Sequence, residues 1–148
     1  MIAIGCDHGG FALKQHILQY LKTCGYEFKD FGTYDESAVD YPDIALEIAC
    51  LVASKQYERG ILICGTGIGV SIAANKVPGV RATVCNDTYS ARMAKEHNDV
   101  NVLTFGGRVL GEGLAIDIVK AWLEAEFQGG RHQIRVDKIS EIERKYAK

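Results

Sequence analysis

Short apolar runs alternate with amphipathic stretches along the whole chain. Runs rich in Ile, Leu and Val, bounded by glycine or polar residues, are typical of buried parallel strands, whereas apolar residues three and four positions apart are typical of helices packed on one face. The pattern predicts strands at 2–6, 27–31, 61–64, 80–85 and 102–105. It predicts helices at 11–24, 42–55, 69–75, 88–96, 112–127 and 136–146.

This alternation predicts a single α/β domain over residues 1–148, with right-handed βαβ crossovers. We expect a Rossmann-like, five-stranded parallel sheet with helices on both faces. Open sheets of this kind bind ligands at the carboxyl ends of their strands. Glycines and polar residues follow four of the predicted strands, at 7–10, 65–67, 86–87 and 106–108. The sequence therefore predicts a site at this edge of the sheet.

Composition narrows the classes of function. Apolar residues make up 47% of the chain, charged residues 24%, and the formal net charge is −2. These values are ordinary for a globular protein and give no electrostatic argument for binding nucleic acid. No apolar run approaches the roughly 20 residues of a membrane-spanning helix, and the first apolar run is too short for a signal peptide. We therefore expect a cytoplasmic protein that binds neither nucleic acid nor membranes.

The five cysteines are scattered without a CxxC pair. This spacing argues against a disulfide framework, a zinc site and a thioredoxin-like centre. Cys24, at the end of a predicted helix, and Cys50, on an apolar helical face, are expected to be buried small apolar side chains. No cluster of residues has metal-ligand spacing, so no metal is expected.

Cys64 ends the third predicted strand and is followed by a turn with glycines at 65, 67 and 69. A helix start just beyond the turn supplies unpaired N–H groups and the positive end of the helix dipole, which favour an anion and a thiolate. The turn matches neither the GxGxxG dinucleotide fingerprint nor the phosphate-binding loop that ends in Gly-Lys-Ser/Thr. It is therefore either a structural turn or an anion cradle, and Thr66, Ser71 and Cys64 favour the cradle.

Three other groups carry candidate chemistry, each with a plainer alternative. Asp7 and His8 end the first strand and lie at the ligand edge, although either could simply cap a helix. His97 ends a helix, where it could only complement the helix dipole. Arg131 and Arg135 are four residues apart, so they share a helical face and either grip a phosphate or form a solvated basic patch.

Several motifs, in order along nearly the whole chain, resemble type B ribose-5-phosphate isomerase. That family also includes isomerases acting on galactose 6-phosphate and allose 6-phosphate. The motifs are Asp7-His8-Gly9-Gly10, Asp40-Tyr41-Pro42-Asp43, Cys64-Gly65-Thr66-Gly67-Ile68-Gly69, Ser71-Ile72-Ala73-Ala74-Asn75-Lys76, His97-Asn98, Phe105-Gly106-Gly107-Arg108 and Gly130-Arg131-His132-Gln133-x-Arg135.

The resemblance implies a sugar-phosphate isomerase that uses no metal and no cofactor. It also implies a homodimer or a tetramer of dimers, with sites at the subunit interface and a small sugar phosphate as substrate. Ribose 5-phosphate and ribulose 5-phosphate are the expected pair, and a six-carbon aldose phosphate is the alternative.

The resemblance also implies roles for individual residues. Cys64 would be the base that moves a proton between C1 and C2, and His97 with Asp7 would open the furanose ring. The enediolate cradle would comprise Gly65, Gly67, Gly69, Val70 and Ser71. The sugar hydroxyls would be held by Tyr41, Thr66 and Asn98, with Thr66 counted among the catalytic residues. The phosphate would be held by His8, Arg108, Arg131 and Arg135.

Two hypotheses from other classes remain. A non-catalytic nucleotide-binding module would use the glycine turn for phosphates and leave Cys64 as a packing residue. A thiol hydrolase would use Cys64 and His97 as a dyad and would form a covalent intermediate.

Overall fold

The computed structural model describes residues 1–147. Five strands, β1 to β5, form one sheet: Ile2–Cys6, Phe28–Asp30, Arg59–Cys64, Ala82–Val84 and Val102–Gly106. Six α-helices, α1 to α6, span Phe11–Thr23, Tyr41–Ala53, Ile68–Ala74, Thr88–Asn98, Glu112–Glu124 and Arg131–Tyr146. A single 3₁₀ turn, His8–Gly10, separates β1 from α1.

The sheet is parallel throughout, in the order β2-β1-β3-β5-β4. The predicted α/β fold with a five-stranded parallel sheet is confirmed. The two outer strands, β2 and β4, have only three residues each and are shorter than predicted. Both lie at the edges of the sheet and pair on one side only, and edge strands in natural proteins are commonly kept short.

Helices cover both faces of the sheet and bury two apolar layers. On one face α1, α4 and α5 pack on β1, β3 and β5, around Trp122, whose indole N–H donates to Val100 O at 3.2 Å. On the other face α2 and α3 pack on the same strands. Helix α6 lies outside these layers, against α4. None of the helices in residues 1–147 is long and apolar enough to cross a membrane.

Two further predictions are wrong. Helix α6 begins at Arg131, not at residue 136, because Gly129 and Gly130 have positive φ angles of 63° and 56° and the helix starts directly after them. The apolar pattern missed this first turn because the side chain that the turn buries is the polar His132, whereas its apolar residue, Ile134, is exposed. Cys24 and Cys50 are also exposed: Cys24 follows the last residue of α1, and Cys50 lies on the solvent side of α2.

Candidate active site

Cys64 is the last residue of β3 and is buried. Its Sγ accepts a hydrogen bond from the N–H of Gly67 at 3.1 Å, just before α3 begins. A donor aimed at sulfur stabilises negative charge there. The thiol is thus fixed in position at the carboxyl end of the sheet, within a polar turn.

The turn after Cys64 can be built only with glycine at position 67. Gly67 has φ +80°, and a Cβ there would lie 2.6 Å from the backbone of Phe105 on β5. Its carbonyl accepts from the hydroxyl of Thr104 at 2.7 Å, and Thr104 is fully buried. The turn is therefore held against β5 at Gly67, by close packing and by this hydrogen bond.

The first N–H groups of α3 divide into two pairs. Those of Gly67 and Ile68 donate to Cys64 Sγ and to Thr66 Oγ1, the latter at 3.2 Å. Those of Gly69 and Val70 have no hydrogen-bond acceptor within residues 1–147. Free N–H groups at a helix start bind anions well. Two donors beside a thiol therefore remain available for a ligand oxygen.

The ends of β1 and β5 close around this turn. The N–H groups of Gly107 and Arg108 donate to the carbonyls of Cys64 and Gly65, at 2.8 and 3.0 Å. The Arg108 guanidinium lies over Gly65, since a Cβ on Gly65 would be 3.1 Å from Arg108 Nη1. Gly9 packs on Gly65 from the β1 side. This arrangement brings a cation within reach of any anion bound at the turn.

Asp7 and His8 follow β1 on the same edge of the sheet. Asp7 is buried, and its Oδ1 accepts from the N–H groups of Gly9 and Gly10, at 2.9 and 3.2 Å. The capping alternative is therefore correct for this oxygen. Nδ1 of His8 accepts from the N–H of Val39 at 3.3 Å, which leaves Nε2 as the protonated nitrogen of the neutral ring.

Tyr41 and Ser71 complete this group. Tyr41 is the first residue of α2, and its ring lies over Gly69, where an added Cβ would be 2.5 Å from the ring. Ser71 is buried in α3. We call these residues the Cys64 cluster; its members are Asp7, His8, Tyr41, Cys64, Gly65, Thr66, Gly67, Gly69, Val70, Ser71 and Arg108.

The remaining predicted site residues lie together elsewhere. His97 and Asn98 end α4, and the ring of His97 stacks on His132 with centroids 4.1 Å apart and planes 9° apart. Burial lowers the pKa of His132, and the neighbouring His97, Arg131 and Arg135 lower it further. We call His97, Asn98, Arg131, His132 and Arg135 the His97 cluster.

The two clusters lie at opposite ends of the sheet. Cys64 pairs with Gly106, the last residue of β5, whereas His97 precedes Val102, its first residue. Four steps along a strand cover roughly 13 Å. One chain therefore holds a thiol with anion donors at one end and imidazoles with two exposed guanidinium groups at the other.

Sequence reasoning assigned no role to two residues that the structure connects to these clusters. His132 stands between Arg131 and Arg135 in the sequence. Its spacing of four residues from the apolar Val136, with which it shares the buried side of α6, is the signal that could have identified it. Thr104 was a polar residue inside the apolar run of β5. Among residues 1–147, no three His, Cys, Asp or Glu side chains lie close enough to hold a metal ion.

Known proteins are similar to this chain over nearly its whole length. The family profile described as Ribose/Galactose Isomerase matches residues 2–139. Ribose-5-phosphate isomerase B of Escherichia coli (strain K12) is 53% identical, over 97% of each chain. D-erythrulose-4-phosphate isomerase of Pectobacterium atrosepticum is 45% identical, over 96% of this chain and 94% of its own length.

Solved structures agree with these relatives. The ribose-5-phosphate isomerase B of Clostridium thermocellum superposes with a TM-score of 0.97 at 60% identity, over 99% of each chain. The type B enzyme of Trypanosoma brucei gives 0.92 at 44% identity, over 95% of this chain and 97% of its own. The chain, with its parallel sheet and its thiol turn, therefore belongs to the ribose/galactose isomerase family.

Proposed function

We propose that the protein interconverts ribose 5-phosphate and ribulose 5-phosphate, with Cys64 as the carbon base. The observation that carries this proposal is the position of the thiol: Gly67 N–H donates to its sulfur, and two free N–H groups lie beside it. A carbon base needs a nearby stabiliser for the oxyanion that it creates. The names of the E. coli and C. thermocellum relatives support this substrate pair.

The reaction proceeds through an enediolate. In the open-chain aldose, the Cys64 thiolate takes the proton from C2, the electron pair forms the C1–C2 double bond, and negative charge moves to O1. The N–H groups of Gly69 and Val70 stabilise that oxygen, and each such donor is commonly worth about 3–4 kcal/mol in the transition state. The proton on O2 then passes to O1, and the Cys64 thiol returns a proton to C1, which gives the ketose.

Ring opening precedes this step, because ribose 5-phosphate is mostly a closed furanose. It needs a group that moves the proton of the C1 hydroxyl to the ring oxygen. We assign this role to His97, supported by its stacking on His132, which fixes the plane of its ring. Asp7 has one carboxylate oxygen committed to the 3₁₀ turn, so its second oxygen is the one available to the sugar.

The phosphate is held away from the reacting carbons. Arg131 and Arg135 lie one turn apart and are exposed, so both can reach the same anion. His8 offers its Nε2–H and Arg108 its guanidinium from the other side. Binding energy from this non-reacting group orients C1 and C2 at the thiol. We assign the binding of the sugar hydroxyls to Tyr41, Thr66 and Asn98.

The site is assembled from two subunits. Since the Cys64 and His97 clusters are separated by the length of β5, one chain cannot bring them to one sugar. A homodimer that sets the Cys64 cluster against the His97 cluster of the partner subunit completes the site twice. Exposed Ile68 and Ile72 on α3 adjoin the Cys64 turn and supply apolar surface for such a contact.

A direct test is an assay of turnover with aldose phosphates of four, five and six carbons. We expect ribose 5-phosphate to be preferred, and Cys64→Ala to lower its turnover by about 10²–10⁴-fold. Cys85→Ala is the matched control, because it removes another buried thiol away from the turn. Preference for a six-carbon phosphate would change the substrate that we assign. Tight nucleotide binding without isomerisation, or a covalent adduct on Cys64, would contradict the assignment as an isomerase.

A further inference from the structure

Lys14 is a fully buried lysine on α1. Its Nζ donates to Asp30 Oδ1 at 2.7 Å and to the carbonyl of Thr33 at 2.6 Å. Lysines are almost never fully buried unless they are paired, because removing the ammonium from water is costly. A buried cation that the isomerisation itself does not use therefore needs another explanation.

Asp30 is the anionic partner of Lys14. The Cys6 thiol also lies close to the ammonium, but burial raises the pKa of Cys6 more than Lys14 lowers it, so this thiol is neutral at pH 7. The same Asp30 oxygen accepts from the N–H of Gly32 at 2.9 Å. Lys14 and Asp30 together thus hold the backbone at both Gly32 and Thr33.

These contacts fasten the start of a segment that we call the strap, residues 31–40. The strap continues the β2 pairing along β1, since Cys6 N–H donates to Gly32 O at 2.7 Å and Thr33 N–H to Cys6 O at 2.8 Å. Near its other end, Val39 N–H donates to Nδ1 of His8. The strap therefore runs from the buried ammonium to the imidazole at the ligand edge.

We propose that Lys14 is a positioning residue for His8. By holding Asp30 and the Thr33 carbonyl, it fixes the strap so that Val39 N–H reaches Nδ1 of His8. The imidazole then keeps its proton on Nε2, and this N–H donates a hydrogen bond to the phosphate of the substrate. This inference rests on the proposed function, in which His8 binds that phosphate.

The test uses Lys14→Met alone and combined with Asp30→Asn, which removes the carboxylate charge left unpaired. Both variants lose the link to Thr33, so we expect KM for ribose 5-phosphate and the inhibition constant of inorganic phosphate to rise by about 10-fold, with a smaller change in kcat. Ile118→Ala is the matched control, since it damages the core beneath α5 without touching the strap. It should lower the melting temperature and leave KM unchanged.

A folded double variant whose KM and phosphate inhibition stay within about 2-fold of wild type would overturn the proposal. If neither variant folds, ¹⁵N NMR of the wild-type enzyme decides: the proposal requires an unprotonated Nδ1 and a protonated Nε2 on His8, and the opposite tautomer refutes it. Failure of the proposed function is distinct, because the wild-type enzyme would then show neither isomerisation nor inhibition by phosphate.

Discussion

The proposed division of the site between two chains can be tested with purified heterodimers. One subunit carries Cys64→Ala and the other His97→Asn, each with a different affinity tag, and tandem purification isolates the mixed dimer. Cys64 and His97 of one chain are separated by roughly 13 Å of β5, so we propose that each site takes them from different chains. One of the two sites then receives both intact residues, and the dimer should have about half of the wild-type activity.

The reciprocal heterodimer is the control. It pairs a wild-type chain with a chain carrying both substitutions, so that each shared site has one lesion and activity should be lost. If each chain instead formed a site by itself, the outcomes would be exchanged: the first heterodimer would be inactive and the second would keep half of the activity. That pattern would refute the assignment of His97 to the site of the opposite chain.

Three further predictions concern single residues. His97→Asn should reduce turnover of ribose 5-phosphate far more than that of erythrose 4-phosphate, which cannot close a furanose ring; equal losses would argue against a role in ring opening. Thr104→Val should lower the free energy of unfolding by about 1 kcal/mol, because the hydroxyl that donates to Gly67 O is removed, while Thr104→Ser should keep that bond; urea denaturation of both variants checks this. The third concerns His132, whose folded-state pKa is lowered, so that the unfolded chain takes up the proton first as the pH falls. Stability should therefore decline below about pH 6.5 until the folded-state pKa is passed, and His132→Gln should decline less over that range; identical curves would contradict the lowered pKa.

The sequence predicted the elements that position the Cys64 cluster, because buried strands and amphipathic helices have strong periodic signals. Strand β3 with its apolar run and the glycines after Cys64 could be identified from composition and spacing alone. Edge strands and the start of α6 were predicted less accurately. Their boundaries depend on one-sided pairing and on the backbone angles of Gly129 and Gly130, which an apolar pattern does not reveal.

Contacts between segments distant in sequence could not be predicted. The stacking of His97 on His132 joins two helices that are far apart along the chain, and it depends on how α6 packs on α4. The bond from Val39 to His8 crosses 31 residues. The separation of His97 from Cys64, by contrast, follows from the parallel sheet itself, since His97 ends the helix that leads into the start of β5 whereas Cys64 lies at the end of β3.

Exchange of hydrogen with solvent tests the central claim, that Cys64 is the base, most directly. The wild-type enzyme and Cys64→Ala are incubated with ribulose 5-phosphate in deuterated water, and deuterium at C1 of the ketose and C2 of the aldose is followed by NMR. Cys50→Ala, which removes an exposed thiol, is the control. We expect incorporation by the wild-type enzyme and the control, and none above background by Cys64→Ala despite retained binding of the sugar phosphate. Incorporation by Cys64→Ala at the wild-type rate would contradict that claim.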